Sequence, residues 1–112
     1  MVIDKQNAEH YSWGDGCDGW HLVRTPALSV IEERMPPGTS EIRHFHRSAM
    51  QFFCVLEGTL TVELDGHEYD LSKGQGIAVA AGQAHQVLNR SATGARFLVV
   101  STPPSHGDRV TA

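Results

Sequence analysis

Short apolar or alternating stretches, separated by Gly, Pro, Asn and Asp, follow one another along the chain, and none has the period of a helix. The clearest stretch is 59–64, where apolar and polar residues alternate strictly. Asp65-Gly66 follows it as a hairpin turn signal, and 67–71 returns from that turn. The pattern predicts strands at 21–25, 27–35, 39–46, 50–56, 59–64, 67–71, 77–80, 85–90 and 96–101.

The spacing of these strands predicts the fold class. Turn signals about every ten residues, without a helix, are typical of an all-β sandwich or barrel. We expect an N-terminal extension over 1–20, with a Gly- and Asp-rich loop at 11–21, and a polar, flexible tail over 103–112. No repeat or linker interrupts the 112 residues, so a single domain over 1–112 is predicted.

The strand at 50–56 is apolar on both faces except at one position. Its odd-numbered residues, Gln51 to Val55, share one face, and its even-numbered residues, Met50 to Leu56, share the other. If the odd face points into the barrel, the even face needs a cover. A partner subunit is one candidate, and the N-terminal extension with its two tryptophans is the other.

Composition and charge exclude several classes of partner. The chain has 9 basic and 13 acidic residues, a net charge of −4, with 40% hydrophobic residues as in an ordinary globular domain. This balance predicts no nucleic-acid and no membrane partner, because both need a basic surface. The sequence shows no export signal or membrane span, so we expect a cytoplasmic protein with free thiols, Cys17 in an exposed loop and Cys54 buried.

Seven histidines are unusual in so short a chain, and His44 and His46 lie two apart on a predicted strand. Side chains at that spacing point the same way, so both imidazoles can bind one metal ion. A short turn would bring Gln51 beside them, and His85 begins another predicted strand. Such ligands suit a divalent transition metal: Zn, Fe, Ni, Mn or Co.

The residues alone leave alternatives open. A histidine pair on a strand can simply face solvent, and Gln51 can hydrogen-bond a ligand histidine instead of binding the metal. The spacing does not show that His85 reaches the pair, since that depends on the fold. The other histidines have no partner at ligand spacing and are expected at the surface: His10, His21, His67 and His106.

The candidate ligands fall within two regularly spaced motifs. The first has two glycines, a His-x-His pair and an amide at Gly38, His44, His46, Gln51 and Gly58. The second has a glycine, a tight turn, a histidine and an amide at Gly74, Ala80, Gly82, His85 and Asn89. With these motifs the chain resembles the cupin superfamily, in which Glu stands at the position of Gln51 and Pro at the position of Ala80.

The resemblance implies an antiparallel jelly-roll β-barrel with few or no helices, often a homodimer. It also implies one metal ion inside the barrel, held by His44, His46, Gln51 and His85. A small-molecule ligand would bind at the remaining positions of the metal.

Gln51 changes the expected chemistry because an amide, unlike a carboxylate, cannot act as a base. Four neutral ligands leave the full charge on the ion, which favours Lewis-acid chemistry over oxygen insertion. We therefore expect a metal-dependent isomerase, cyclase or lyase acting on a small carbonyl, enol or carboxylate compound. The alternatives are a non-catalytic cupin that binds a small molecule or sugar, a dioxygenase, and a metal-free structural barrel.

The sequence does not identify a catalytic base. Glu33, Glu41 and Glu57 are candidates by residue type alone, and each is expected to be a solvated charge. Asn89 is expected to fix a turn by hydrogen bonds, as asparagine often does.

Overall fold

The computed structural model describes all 112 residues, and its regular structure consists of antiparallel β-strands without a helix. The strands are β1 Glu9–Trp13, β2 Cys17–Arg24, β3 Ser29–Met35, β4 His44–His46, β5 Met50–Glu57, β6 Leu60–Leu64, β7 His67–Leu71, β8 Gly76–Val79, β9 His85–Leu88, β10 Ala95–Thr102 and β11 Arg109–Thr111. The predicted all-β class is confirmed. The structure contains no helix that could span a membrane.

The strands form two facing sheets. One has six strands in the order β1-β2-β3-β10-β5-β8, and the other has five in the order β11-β4-β9-β6-β7. The apolar core fills the space between them, and both sheets contribute residues to it, among them Met35, Phe53, Val62, Val87 and Phe97. This is the predicted jelly-roll architecture, and the alternation along each strand places the core on one face of each sheet.

Strand β5 divides as its alternation predicts. Gln51, Phe53 and Val55 are buried between the sheets, whereas Met50 and Phe52 lie on the outer face with 48% and 40% of their surface exposed. Cys54, expected to be buried, is only half-buried because it shares that outer face.

The predicted loop at 11–21 is wrong. This segment contains the last three residues of β1 and most of β2, which pair as a hairpin around Gly14 and Gly16, both with positive φ. The Gly and Asp residues suggested a loop, but pairing of β2 with β3 satisfies the backbone and extends the sheet. Cys17, expected in an exposed loop, is consequently fully buried in the core.

The C-terminal segment also contains regular structure. Residues 103–112, expected as a flexible tail, include β11, which pairs antiparallel with β4. The sequence did not predict this strand because its partner is the short β4, some sixty residues earlier. The predicted strand at 39–46 is shorter in the structure: only His44–His46 is regular, with an isolated bridge from Ser40 to Leu88.

Candidate metal centre

Three buried histidines meet between the sheets. His44 on β4 is the register partner of His85 on β9, and His46 lies two residues further along β4 on the same face. One side-chain nitrogen from each ring lies within 4.8 Å of the others. The three residues are only 3%, 5% and 1% exposed, in the order His44, His46 and His85. This group could therefore hold a metal ion, as the sequence suggested.

Two of the rings are oriented by the main chain. The Nδ1 of His44 is 2.7 Å from the carbonyl oxygen of Ile42, and the Nδ1 of His85 is 3.0 Å from that of Gln83. A carbonyl oxygen only accepts, so each Nδ1 carries the hydrogen and each neutral ring keeps its lone pair on Nε2. A carbonyl that fixes the tautomer in this way is a common partner of metal-binding histidines.

Burial keeps all three rings neutral. It lowers the pKa of His44 to about 4, and it also lowers the pKa values of His46 and His85. The guanidinium of Arg109 lowers each of the three further. The neutral form is the one that binds a metal, so the cluster is ready for a cation at neutral pH.

Gln51 projects from β5 into the same interior. Its Nε2 donates to the hydroxyl of Ser101 at 3.1 Å, and its Oε1 is buried without a hydrogen-bond partner. The Nδ1 of His46 and the Nε2 of His85 are also buried and without partners. Polar atoms in a protein interior are normally satisfied, so the two orphaned acceptors, the Oε1 of Gln51 and the Nε2 of His85, fit a bound cation.

The turn before His85 explains the replacement of proline by Ala80. The amide of Ala80 donates to the Oε1 of Gln83 at 3.0 Å, a bond that proline could not make. The amide of Gln83 in turn donates to the carbonyl of Ala80, and Gly82 takes the positive φ of the turn. Gln83 therefore stabilises the turn with its side chain while its carbonyl orients His85.

The segment before β11 clamps the loop between β4 and β5. The carboxylate of Asp108 accepts hydrogen bonds from the amides of Arg47, Ser48 and Ala49, at 3.0, 2.9 and 2.9 Å. These amides lie between His46 and Gln51, so the C-terminal segment fixes the distance between two candidate ligands.

The structure separates the remaining histidines from this cluster. His67 and His106 are exposed, as expected. His10 lies on the outside with its Nε2 2.8 Å from a carboxylate oxygen of Asp18. His21 is part-buried, at the edge of a different cavity of about 410 Å³ that it shares with Arg24. Asn89 fixes a turn, as expected, by donating to the carbonyls of Met35 and Thr93.

The candidate bases divide into two groups. Glu57 is exposed, as expected, and pairs with Arg96 at 3.3 Å. The prediction of solvated charges is wrong for Glu33 and Glu41, which line a cavity of about 170 Å³ between the sheets together with Tyr11, Trp13 and Arg109. Burial raises the pKa of Glu33 to about 7 and that of Glu41 to about 8.

Sequence reasoning missed Tyr11 and Arg109. One lay in the predicted N-terminal loop and the other in the predicted tail, so neither segment was expected to face the barrel interior. Arg109 reaches the cavity because β11 pairs with the distant β4. Tyr11 reaches it through the local hairpin of β1 with β2, which the Gly and Asp residues of that segment did not predict.

The fold and the histidine cluster define a cupin barrel, and the sequence agrees. The Cupin domain family matches residues 31–101. The chain therefore belongs to this family.

Two curated relatives match part of the chain. The chain is 30% identical over 69 residues to the tetracenomycin polyketide synthase protein TcmJ of Streptomyces glaucescens. The matched region is 62% of this chain and 46% of TcmJ. It is 32% identical over 76 residues to the HTH-type transcriptional regulator PuuR of Escherichia coli. That region is 68% of this chain and 41% of PuuR. The chain spans less than half the length of either relative.

Solved structures share the complete fold. A sugar phosphate isomerase of the cupin superfamily from Silicibacter pomeroyi superposes with a TM-score of 0.82 and 27% identity, covering 93% of this chain and 76% of that one. The polyketide cyclase RemF from Streptomyces resistomycificus superposes with a TM-score of 0.86 over 100% of this chain and 84% of its own, at 18% identity. The latter likeness concerns the fold alone.

Proposed function

We propose that this protein binds one divalent transition metal ion (Zn, Fe, Ni, Mn or Co) through His44, His46, His85 and Gln51, and acts as a metal-dependent enzyme. The observation that carries the proposal is the convergence of three buried, neutral imidazoles in one interior site. The orphaned Oε1 of Gln51 supports it as the fourth ligand, because the hydrogen bond to Ser101 occupies only the amide nitrogen.

The ligand set suggests the class of reaction. With four neutral ligands, a bound ion would act as a strong Lewis acid that polarises a carbonyl oxygen. Gln51 supplies no base, so proton transfer depends on other groups of the chain. The proposed substrate is a small carbonyl, enol or carboxylate compound, and the reaction is of isomerase, cyclase or lyase type. The similarity to a polyketide synthase protein and to a sugar phosphate isomerase supports this class.

Metal content tests the proposal directly. We expect about one transition metal per chain by plasma mass spectrometry of protein purified without a histidine tag or chelator. The double variant His46→Ala/His85→Ala should lose the metal and keep a β-rich circular dichroism spectrum. The matched control is His67→Ala/His106→Ala, which removes two exposed histidines. Full occupancy in the first variant would exclude the site.

Gln51→Glu tests the fourth ligand. A carboxylate at this position adds a negative charge to the ion's surroundings, so we expect metal affinity at least as high as in the wild type. Competition with a chromogenic chelator measures this. Weaker binding would show that Gln51 is not a ligand.

A ligand-binding cupin without turnover is the second candidate. The similarity to PuuR supports it, because that protein is a transcriptional regulator rather than an enzyme. The two functions differ in one observation: ligands that raise the melting temperature without being converted favour the binding protein. Turnover that requires air rather than argon would instead indicate a dioxygenase.

The proposal extends to the compartment, the partners and the oligomeric state of the protein. We propose a cytoplasmic protein with free thiols, a small-molecule ligand and no nucleic-acid or membrane partner, in line with the net charge of −4. We also propose a homodimer, because Met50 and Phe52 leave apolar surface on the outside of the six-stranded sheet.

A further inference from the structure

A second group of polar side chains is not explained by metal binding. It lines a cavity that contains none of the three histidines: Tyr11, Trp13, Glu33, Glu41 and Arg109. The volume of this cavity is about 170 Å³, and a second cavity of about 190 Å³ shares Trp13, Glu41 and Arg109 with it, so the space suits a small ligand. It brings two carboxyl groups, a phenol and a guanidinium together between the sheets. Tyr11, Glu33 and Glu41 are part-buried there and Arg109 is exposed. Two neighbouring carboxyl groups withdrawn from water are unusual, because glutamate is mostly exposed in proteins.

Glu33 is held in place from two strands away. Tyr11, Gly19 and Glu33 are register partners across β1, β2 and β3. Gly19 has no side chain, and a β-carbon there would overlap the Tyr11 ring. The ring therefore lies across the space that Gly19 leaves open, and its hydroxyl donates to the Oε1 of Glu33 at 3.1 Å.

The Glu41 side chain accepts a hydrogen bond from the backbone at an irregularity of the strand pairing. The bridge from Ser40 to Leu88 and the pair His44–His85 leave one extra residue on the β4 side of the ladder. The Oε1 of Glu41 compensates by accepting the amide of Val87 at 3.0 Å. The Glu41 side chain is thus engaged with the backbone, whereas the only hydrogen bond of the Glu33 side chain is the one from Tyr11. Of the two carboxyls, Glu33 is the one free to exchange a proton with a ligand.

Arg109 connects this cavity to the histidine cluster. It is the register partner of His46 on β11, its side chain is exposed, and its Nη2 donates to the carbonyl of Ile42 at 3.1 Å. Its charge acts on all three histidines and also on Glu33 and Glu41. Arg109 thus lines the cavity together with Glu33 and also stands in register with a candidate metal ligand.

We propose that Glu33 is the catalytic residue that transfers a proton to or from a small 2-oxo acid in this cavity, with Arg109 binding the acid's carboxylate and Tyr11 positioning Glu33. A guanidinium suits a carboxylate through paired hydrogen bonds, and the neighbouring carbonyl would face the histidines. This inference rests on the proposed metal site and names its missing base.

The proton transfer conserves atoms and charge. The C–H bond on the carbon next to the carbonyl breaks, and its electron pair becomes part of the carbon–carbon double bond of an enolate. The carbonyl π electrons move to the oxygen, and the proton goes to the ionised carboxylate of Glu33. In heavy water the reverse step returns a deuteron, so the substrate exchanges hydrogen without any other reactant.

Ligand binding can be measured without metal, with pyruvate as the probe. Trp13 lines the cavity, whereas Trp20 stacks with His10 and Lys5 outside it. In metal-free Trp20→Phe protein, we expect saturable quenching or enhancement of Trp13 fluorescence by pyruvate. The additional substitution Arg109→Gln should abolish the change, and Glu57→Gln should leave it intact. An equal response with and without Arg109 would contradict the assignment of the carboxylate site.

Proton transfer is followed by proton NMR as loss of the pyruvate methyl signal in heavy water, with metal-loaded protein of measured metal content. We expect Glu33→Gln to slow the exchange about 10²-fold at unchanged metal content and Glu57→Gln to leave it unchanged. Exchange at the wild-type rate in Glu33→Gln, or no exchange above free metal in the loaded wild type, would overturn the proposal. Absence of bound metal would instead refute the proposed function.

Tyr11→Phe tests whether the Tyr11 hydroxyl positions Glu33 for proton transfer or only contributes to packing. The groups that face Glu33 are Tyr11, Cys17, Glu41 and Arg109, and the hydrogen bond from Tyr11 lowers the pKa of Glu33. Its loss should move the midpoint of the pH–rate profile for methyl exchange to higher pH. A lower rate with an unmoved midpoint would contradict the positioning role.

Discussion

Gly19 is the residue on which the arrangement of the interior cavity depends most sharply. Because Gly19 has no side chain, the Tyr11 ring can pass over β2 and its hydroxyl can reach Glu33 on β3. In isolation, a glycine in a strand lowers stability, and such a position usually marks a close approach of another group.

Gly19→Ala should therefore be destabilising. The added methyl would overlap the Tyr11 ring, which must move and release Glu33, at a cost of about 1–3 kcal/mol. Urea unfolding monitored by circular dichroism measures this. Gly94→Ala is the matched control, because its nearest neighbour would be an ordinary 3.9 Å away. Equal stability of the two variants would contradict the packing described.

Glu33 makes stability depend on pH in a defined direction. Its folded pKa of about 7 lies above the ordinary 4.5, so the folded state binds the proton more tightly. Stability from this group is complete below pH 4.5 and is lost as the pH rises through 7. Glu33→Gln, which mimics the neutral form, should therefore gain roughly 2 kcal/mol relative to the wild type between pH 5 and pH 8.

Urea unfolding of metal-free protein at the two pH values checks this prediction. Glu57→Gln, the same substitution at an exposed side chain, is the control. A difference between Glu33→Gln and the wild type that does not change with pH would mean that the carboxyl is solvated in the folded state.

At the scale of elements, the short β4 is stabilised from both sides. It pairs with β9 only through His44 and His85, and with β11 through all three of its residues. Arg109 and the Asp108 carboxylate belong to this C-terminal segment, so the same segment supports the strand that carries His44 and His46 and lines the adjacent cavity.

Asp108→Ala should weaken metal binding. Three amides between His46 and Gln51 lose their acceptor, which frees the loop that sets the separation of these ligands. We expect roughly tenfold lower metal affinity and a lower melting temperature, with the fold retained. Chelator competition measures the affinity. Asp15→Ala, in the exposed β1–β2 turn, is the control, and equal effects of the two substitutions would contradict the clamp.

At the scale of the whole molecule, the outer face of the six-stranded sheet is covered only in part. Lys5 of the N-terminal segment lies over the Trp20 ring at 5.1 Å and pairs with Glu32 at 3.3 Å. Phe52 and Met50, further along the same sheet, stay exposed. Of the two covers considered from the sequence, the N-terminal segment thus reaches one end of the sheet and leaves the other open.

We expect this open end to be the dimer interface. Phe52→Ser should shift the protein towards monomer, because it removes an aromatic side chain from the apolar surface. Light scattering coupled to size-exclusion chromatography measures the mass. Tyr69→Ser removes an equally exposed aromatic from the other sheet and should leave the mass unchanged. A monomeric wild type, or a dimer in both variants, would show this prediction to be wrong.

The sequence by itself determined the fold class and the candidate metal ligands. Strict alternation and regular turns are local properties, so the strands from β5 to β10 could be predicted within a few residues. The period of two also placed His44 and His46 on one face, and it placed Gln51 on the inward face of β5 with Phe53 and Val55.

Only the tertiary structure decided what surrounds those ligands. Tyr11 and Arg109 lie in segments without a local strand signal. Tyr11 reaches the cavity because β1 forms a hairpin with β2, and Arg109 lines it, while staying exposed, because β11 pairs with the distant β4. The burial of Glu33 likewise depends on the ring packed across Gly19. Charges, turns and polar tails resemble solvent-exposed segments until long-range pairing removes them from water, and no periodicity encodes that pairing.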